Sequence, residues 1–160
     1  MAGTTLTQTQ IDALIAKLQL YKYVCSAGET VLGPLKSAPT IESDVETKDV
    51  TLYETGEEAQ ASFLIKNNVK LTLEVEDVDT ALPLLGAFKK GDNVLDSTKT
   101  VAVTLVPITD DEGAKTITFP NAFLQPGMSM TLEDGDDPNS VQLVYLCRPD
   151  EDTGKPFTYA

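Results

Sequence analysis

Between residues 69 and 76, apolar and polar side chains alternate without a break. Val69, Leu71, Leu73 and Val75 point one way, and Lys70, Thr72, Glu74 and Glu76 point the other. A period of two marks a strand with one buried and one wet face. A lone strand is not stable, so the period has to recur elsewhere. It does so at 101–106, where Val101, Val103 and Leu105 share a side, and at 141–147, with Val141, Leu143, Tyr145 and Cys147. Shorter β-prone runs occupy 20–25, 49–54, 61–66, 115–119 and 128–133. Asn67-Asn68 reads either as a turn or as a bulge inside one continuous strand. The polar turn at 110–113 would join two strands as a hairpin, and Asp134-Gly135-Asp136-Asp137-Pro138 is a strong turn.

Two segments change period. Over 7–20, Ile11, Leu14, Ile15 and Leu18 follow helical spacing, and Thr7 with Gln10 has capping-box spacing. This predicts a helix that either packs on its own domain or docks as an arm on a neighbour. Over 77–90, Val78, Ala81, Leu82, Leu85 and Phe88 again follow helical spacing. Asp77 or Asp79 would cap that helix. Pro83 requires it to begin nearby or to kink there. Residues 26–48 hold Gly28, Gly33, Pro34 and Pro39 and read as a long irregular loop. Loops of that length in compact domains are commonly binding or assembly elements. From Glu42 to Glu58 stand seven acids (Glu42, Asp44, Glu46, Asp49, Glu54, Glu57, Glu58) and one lysine, Lys48, as on a solvated face.

At 160 residues the chain fits one domain and needs no metal or disulfide to fold. The expected architecture is mainly β, α+β by count: an antiparallel β-sandwich or open barrel with one flanking helix and an N-terminal helix. The expected division is a helical arm at 1–20 and a β domain at 21–160 that carries the 26–48 loop. No apolar run approaches a membrane span, and residues 1–9 do not read as a signal peptide. A cytosol-like compartment is the expectation.

The same composition excludes several function classes. There is no histidine, so Ser-His-Asp and Cys-His triads are absent. The acids sit mostly in turns and on polar strand faces, not among pocket-forming residues, so the chain is expected not to be an enzyme. No phosphate-binding glycine loop occurs. Cys25 and Cys147 lie in apolar strand-like runs without CxxC spacing, as buried free thiols or a single disulfide. The acidic turns Asp110-Asp111-Glu112 and Asp134–Asp137 could offer oxygen ligands to calcium, but neither matches an EF-hand, and ordinary turn chemistry accounts for both. No catalytic, cofactor-binding or metal residue is therefore assigned, and no cofactor is expected. A net charge of −13 and a single arginine, Arg148, disfavour specific nucleic-acid binding.

Several segments together resemble the tail tube proteins of long-tailed bacteriophages. They are Val69-Lys70-Leu71-Thr72-Leu73-Glu74-Val75, Ala81-Leu82-Pro83-Leu84-Leu85-Gly86, Phe119-Pro120-Asn121-Ala122, the strand at 141–147 and the ending Pro149-Asp150-Glu151-Asp152-Thr153-Gly154-Lys155-Pro156-Phe157. The resemblance covers about residues 69–159. It implies a small sandwich with a flanking helix, six copies joined into a β-lined ring, and rings stacked around a tape-measure protein. Other tail proteins would be partners, and DNA would pass through the lumen without specific binding. It implies a structural virion protein, made in the bacterial cytoplasm. In such a ring the acidity would give a non-stick wall for DNA, and the 26–48 loop would reach the next ring. Two alternatives stand beside it: another ring component such as a terminator, and a calcium- or glycan-binding β-sandwich. The second is weakened by the absence of tryptophan.

Overall fold

A computed structural model describes residues 5–18, 22–51, 59–109 and 112–160. Helix α1 (Gln8–Leu18) is followed by strands β1 (Tyr23–Ala27), β2 (Thr30–Val31), β3 (Thr40–Thr51) and β4 (Ala59–Val75). Helix α2 (Val78–Gly86) and a 3-10 turn at Ser97–Lys99 come next. Strands β5 (Val101–Pro107), β6 (Ile117–Leu124), β7 (Ser129–Thr131), β8 (Ser140–Cys147) and β9 (Thr158–Tyr159) complete the chain. Among the described residues the nine strands form one sheet, in the order β2-β1-β5-β6-β8-β4-β3, with β7 on β8 and β9 on β6. Every pairing is antiparallel.

Of the two architectures expected, the open curled sheet is the one observed. Buried residues from β1, β4, β5, β6 and β8 share one core: Cys25, Leu71, Leu73, Val103, Phe119, Leu143 and Tyr145 all belong to it. A flat sheet could not bring these strands around a common centre, so the sheet coils about them. Its two ends are linked through the chain. After β2, Leu32 turns into the core with no exposed surface. The chain then reaches the far edge, where Lys36 N donates to Glu74 O (2.9 Å) and Glu76 N to Pro34 O (3.0 Å). Gly33 makes that crossing at φ +80, where a Cβ would come within 3.0 Å of Asp77 Cβ. Glu74 fastens the same place from the side-chain level. Its carboxylate accepts from Ser140 Oγ (2.9 Å) and Ser37 Oγ (3.2 Å), which satisfies the buried Ser140.

Helix α2 caps the core. Asp77 accepts from Thr80 N (3.3 Å) and Thr80 Oγ1 (2.8 Å), which settles the N-terminus on Asp77 rather than Asp79. The helix begins well before Pro83 and contains it. It ends at Gly86, so Phe88, Lys89 and Lys90 lie beyond it. Ala81 is fully buried, and Leu82, Leu84 and Leu85 pack half-buried against the core. At the other end, β9 returns onto the start of β6 and Phe157 tilts against Phe119 with ring centroids 6.2 Å apart. The C-terminal segment therefore closes with a strand.

One expectation is corrected. Residues 26–48 are not an irregular loop: β2 and most of β3 lie there. The glycines and prolines do lie between the strands, with Gly28 in a turn, but Thr40 onward is extended and paired along β4, from Thr40 opposite Thr72 to Thr51 opposite Ala59. Asn67-Asn68 lies within β4, which runs on without a turn. The irregularity falls a little earlier, where Glu46 pairs Lys66, Thr47 pairs Leu64 and Ile65 is skipped. The 49–54 strand is observed to Thr51, and its remainder lies outside the described residues, as does the 110–111 portion of the polar turn.

Cys25 and Cys147 are free and fully buried, and burial pushes their thiol pKa values up to about 11 and about 12. The unfolded thiols lose their protons near the ordinary value of 9.0, well before the folded ones. The folded state then binds more protons, so these groups cost stability as pH rises from about 9 towards 12. Denaturant midpoints should fall over that window, and a C25A/C147A double variant should lose part of the slope. Gly33→Ala should lower the midpoint through its strained φ by about 1–2 kcal/mol, read in the same titration.

Candidate assembly surface

β4 is 17 residues long, but only Val69–Val75 pairs with β8. Its first ten positions, 59–68, pair with β3 alone and form a two-stranded ribbon roughly 30 Å long at about 3.3 Å per residue. Among the described residues no other element pairs with it. Every residue of β3 is exposed. On β4, Phe63, Leu64 and Ile65 are 59%, 54% and 58% exposed. Three consecutive large apolar residues on a strand would ordinarily be covered on both faces.

The register assigns the faces. Ile41 lies opposite the buried Leu71, and Val45 and Leu64 continue that same side of the sheet outward. The apolar line of the core thus runs off the body onto the ribbon. On the opposite side, Glu42 faces Lys70 and Glu46 faces Lys66, while Lys66 Nζ sits 2.8 Å from Asp44 Oδ2. Farther out on this side, Phe63 pairs with Lys48 and Val50 with Ala61. The ribbon is therefore charge-balanced near its root and carries its large apolar residues, Phe63, Leu64 and Ile65, farther out. Ser62 Oγ donates to Asp49 Oδ1 at 2.7 Å across the strands, which ties the outer part. Three further acids, Glu54, Glu57 and Glu58, fall in the segment that joins β3 to β4, outside the described residues, and others stand exposed in turns and near the C-terminus, such as Asp134, Asp136, Asp137, Glu151 and Asp152.

A second surface is an open groove of about 880 Å³ between the β1–β5 end and the crossing segment. Val24, Val31, Leu35, Leu105, Ile108 and Ile117 line it, with Lys22 and Lys36. Val31 and Ile108 stand exposed at its rim, and Ile41, at the root of the ribbon, lines it too. Helix α1 forms over most of its expected span. Thr7 Oγ1 accepts from Gln10 N (3.2 Å) and Gln10 Oε1 accepts from Thr7 N (2.9 Å), the reciprocal bonds of a capping box. Of its apolar stripe, Leu14 and Leu18 are exposed and Ile11 half-exposed.

The acidic turns do not gather into a site. Asp134, Asp136 and Asp137 are exposed, and among the described residues no three acid or cysteine side chains converge as metal ligands would. Glu112 is exposed, and Asp110 and Asp111 lie outside the described residues. Among the described residues no helix is long and apolar enough to cross a membrane. The ribbon escaped the sequence reading because neither of its faces is buried within the chain. The signal that could have found it is charge at every second position: Glu42, Asp44, Glu46, Lys48.

Because Phe63 and Ile65 touch little within the chain, F63S/I65S should move the dilute protein's denaturation midpoint by no more than about 0.5 kcal/mol per site. A loss of several kcal/mol would show that the ribbon is packed within the single chain.

No protein-family model matches the sequence, and no curated protein matches it. Solved structures do. A chain from the PVC extracellular contractile injection system, in its sheath–tube complex in the extended state, aligns over 98% of this chain and 99% of that one, with a TM-score of 0.53 and 14% identity. A chain from the sheath/tube terminator of the same kind of system aligns over 88% of this chain and 94% of that one, with a TM-score of 0.53 and 14% identity. At such identity the likeness speaks to fold, and it extends through the ribbon and the N-terminal helix as well as the curled sheet. The open antiparallel sheet of this chain, with its flanking helix, is thus a tail-tube-like fold.

Proposed function

We propose that this chain is a non-enzymatic structural subunit of a tail-like tube, in which copies join into rings, six to a ring, that stack as the tube. The observation that carries this is the ribbon: an apolar, two-stranded extension with both faces uncovered, on a fold shared with sheath–tube and terminator components. An exposed strand edge with apolar flanks is a liability in a monomer and an interface in an assembly. The ribbon takes the reaching role that a long loop would have had. Ring neighbours lie against its core-side strip of Ile41, Val45 and Leu64, and its Phe63 side meets the adjoining ring. The tube encloses a tape-measure protein, joins other tail proteins, and serves as the conduit for DNA in a virion assembled in the bacterial cytoplasm.

Charge shapes how the conduit works. A chain of −13 repels polyanions. The ribbon's own wall is mixed in sign, because Lys66 and Lys70 face its acids, so a non-stick conduit requires the acidic turns to be the part of the chain that faces the lumen. A terminator is the second reading, favoured by the equal TM-score of the terminator chain. The two differ in one respect: a terminator closes a ring without stacking.

Electron microscopy of the purified protein, with mass measured by light scattering, separates them. Tubes support the subunit reading and single rings support the terminator. Leu64→Asp should abolish either assembly while the circular dichroism spectrum and denaturation midpoint stay as in the parent. Assembly of L64D at the parent's efficiency would refute the ribbon's role. A strict monomer at every concentration, stabilised by calcium or a glycan, would favour the binding-module alternative.

A further inference from the structure

We infer that α1 of one copy seats its apolar stripe in the Val24–Ile117 groove of a second copy, so that neighbouring subunits are linked by an exchanged helix. This rests on the self-assembly reading above and adds a second, separate junction to the ribbon.

Three observations carry it. First, among the described residues, Leu14 and Leu18 of the stripe and the rim of the groove are uncovered. Leu14 and Leu18 face solvent on a helix held by a formed capping box, while Val31 and Ile108 stand exposed at the groove's rim. A three-turn helix without tertiary packing is marginal in water, so its apolar face requires a partner. Second, charge selects where two such copies can meet. Each carries −13, and most of the surface therefore repels its like. The groove is an exception: its lining includes Lys22 and Lys36 and no acid. Helix α1 is another, with one acid and one base, Asp12 and Lys17. Lys36 is already paired with Glu133 (Nζ to Oε1, 2.7 Å), so Lys22 is the lysine of this lining that exposed Asp12 approaches, and the near-neutral helix meets less repulsion here than at the acidic turns. Third, the groove is continuous with the ribbon root through Ile41. A helix seated there abuts the strip that the ring neighbour covers, and the two junctions form one interface.

Cross-linking between singly substituted full-length chains tests this. Leu14→Cys in one preparation and Ile108→Cys in another are mixed and treated with a short bis-maleimide. The native cysteines are buried, so the parent protein supplies the background. The expected result is a covalent dimer in the mixture, at least tenfold above that from either variant alone. A doubly substituted L14C/I108C chain that cross-links only within itself, with no dimer in the mixture, would overturn the exchange and place α1 on its own groove. No cross-link in any combination would overturn docking altogether. The ribbon variant L64D, mixed in the same way, separates this from the ring reading. Cross-linked dimers without rings uphold the exchange and count against ring formation. Rings that are lost in L64D and persist in L14E/L18E, with no cross-link in the L14C and I108C mixture, uphold the ribbon and refute the exchange.

Discussion

The structure depends on the unequal partnering of β4. Its second half, Val69–Val75, is held by β8 along its length and by β3 as far as Thr72, with Val69, Leu71, Leu73 and Val75 buried. Each such side chain contributes roughly 1.5–3 kcal/mol through burial. Its first half leaves the body with only β3 beside it. Because a strand is stiff over this length and the two halves are one strand, the buried half fixes the direction and the faces of the projecting half. The apolar side of the ribbon is the core side of the sheet continued past the edge of the molecule. Among the described residues nothing completes that side, which leaves it open to other copies.

Such an arm has to avoid indiscriminate pairing. β3 is an edge strand of 12 residues with one free side. Edge strands of this kind are guarded by charge, and here Glu42, Asp44, Glu46, Lys48 and Asp49 are distributed along it. Their partners Lys66 and Lys70 keep the ribbon near neutrality, so the guard does not make the arm repel every acidic copy. Part of the remaining acidity sits in turns such as 134–137, where it raises solubility, and part of it, Glu54, Glu57 and Glu58, lies in the segment that joins the two strands of the arm. The same partition of charge leaves the α1 helix and the groove as places where two copies can approach.

Much of the body was legible from residue order, and the reason is burial on one face only. β5, β8 and the second half of β4 each set apolar residues at every second position, and those are the residues found in the core. The helix after Asp77 was legible too, through its cap and spacing, although its end was placed too late. The ribbon was not. Where both faces of a strand are exposed, apolar alternation carries no information, and the acids of β3 imitate a solvated loop. Residues 61–66 looked like an ordinary strand, and only the pairing shows that Phe63, Leu64 and Ile65 have no core to face. β9 was hidden for a different reason: its two residues are held by the backbone of β6, from Thr116 to Ala160, and a pairing that short leaves no pattern.

Amide hydrogen exchange on the dilute chain and on the assembled particle tests the ribbon most directly. The dilute chain should show the core amides of 69–75 and 141–147 strongly protected and the ribbon, 40–51 and 61–66, exchanging fast. On assembly the ribbon should slow by at least a hundredfold while the core is unchanged. A particle whose ribbon exchanges as fast as in the dilute chain would contradict the account, because its subunits would then be joined without the one element that this fold leaves uncovered.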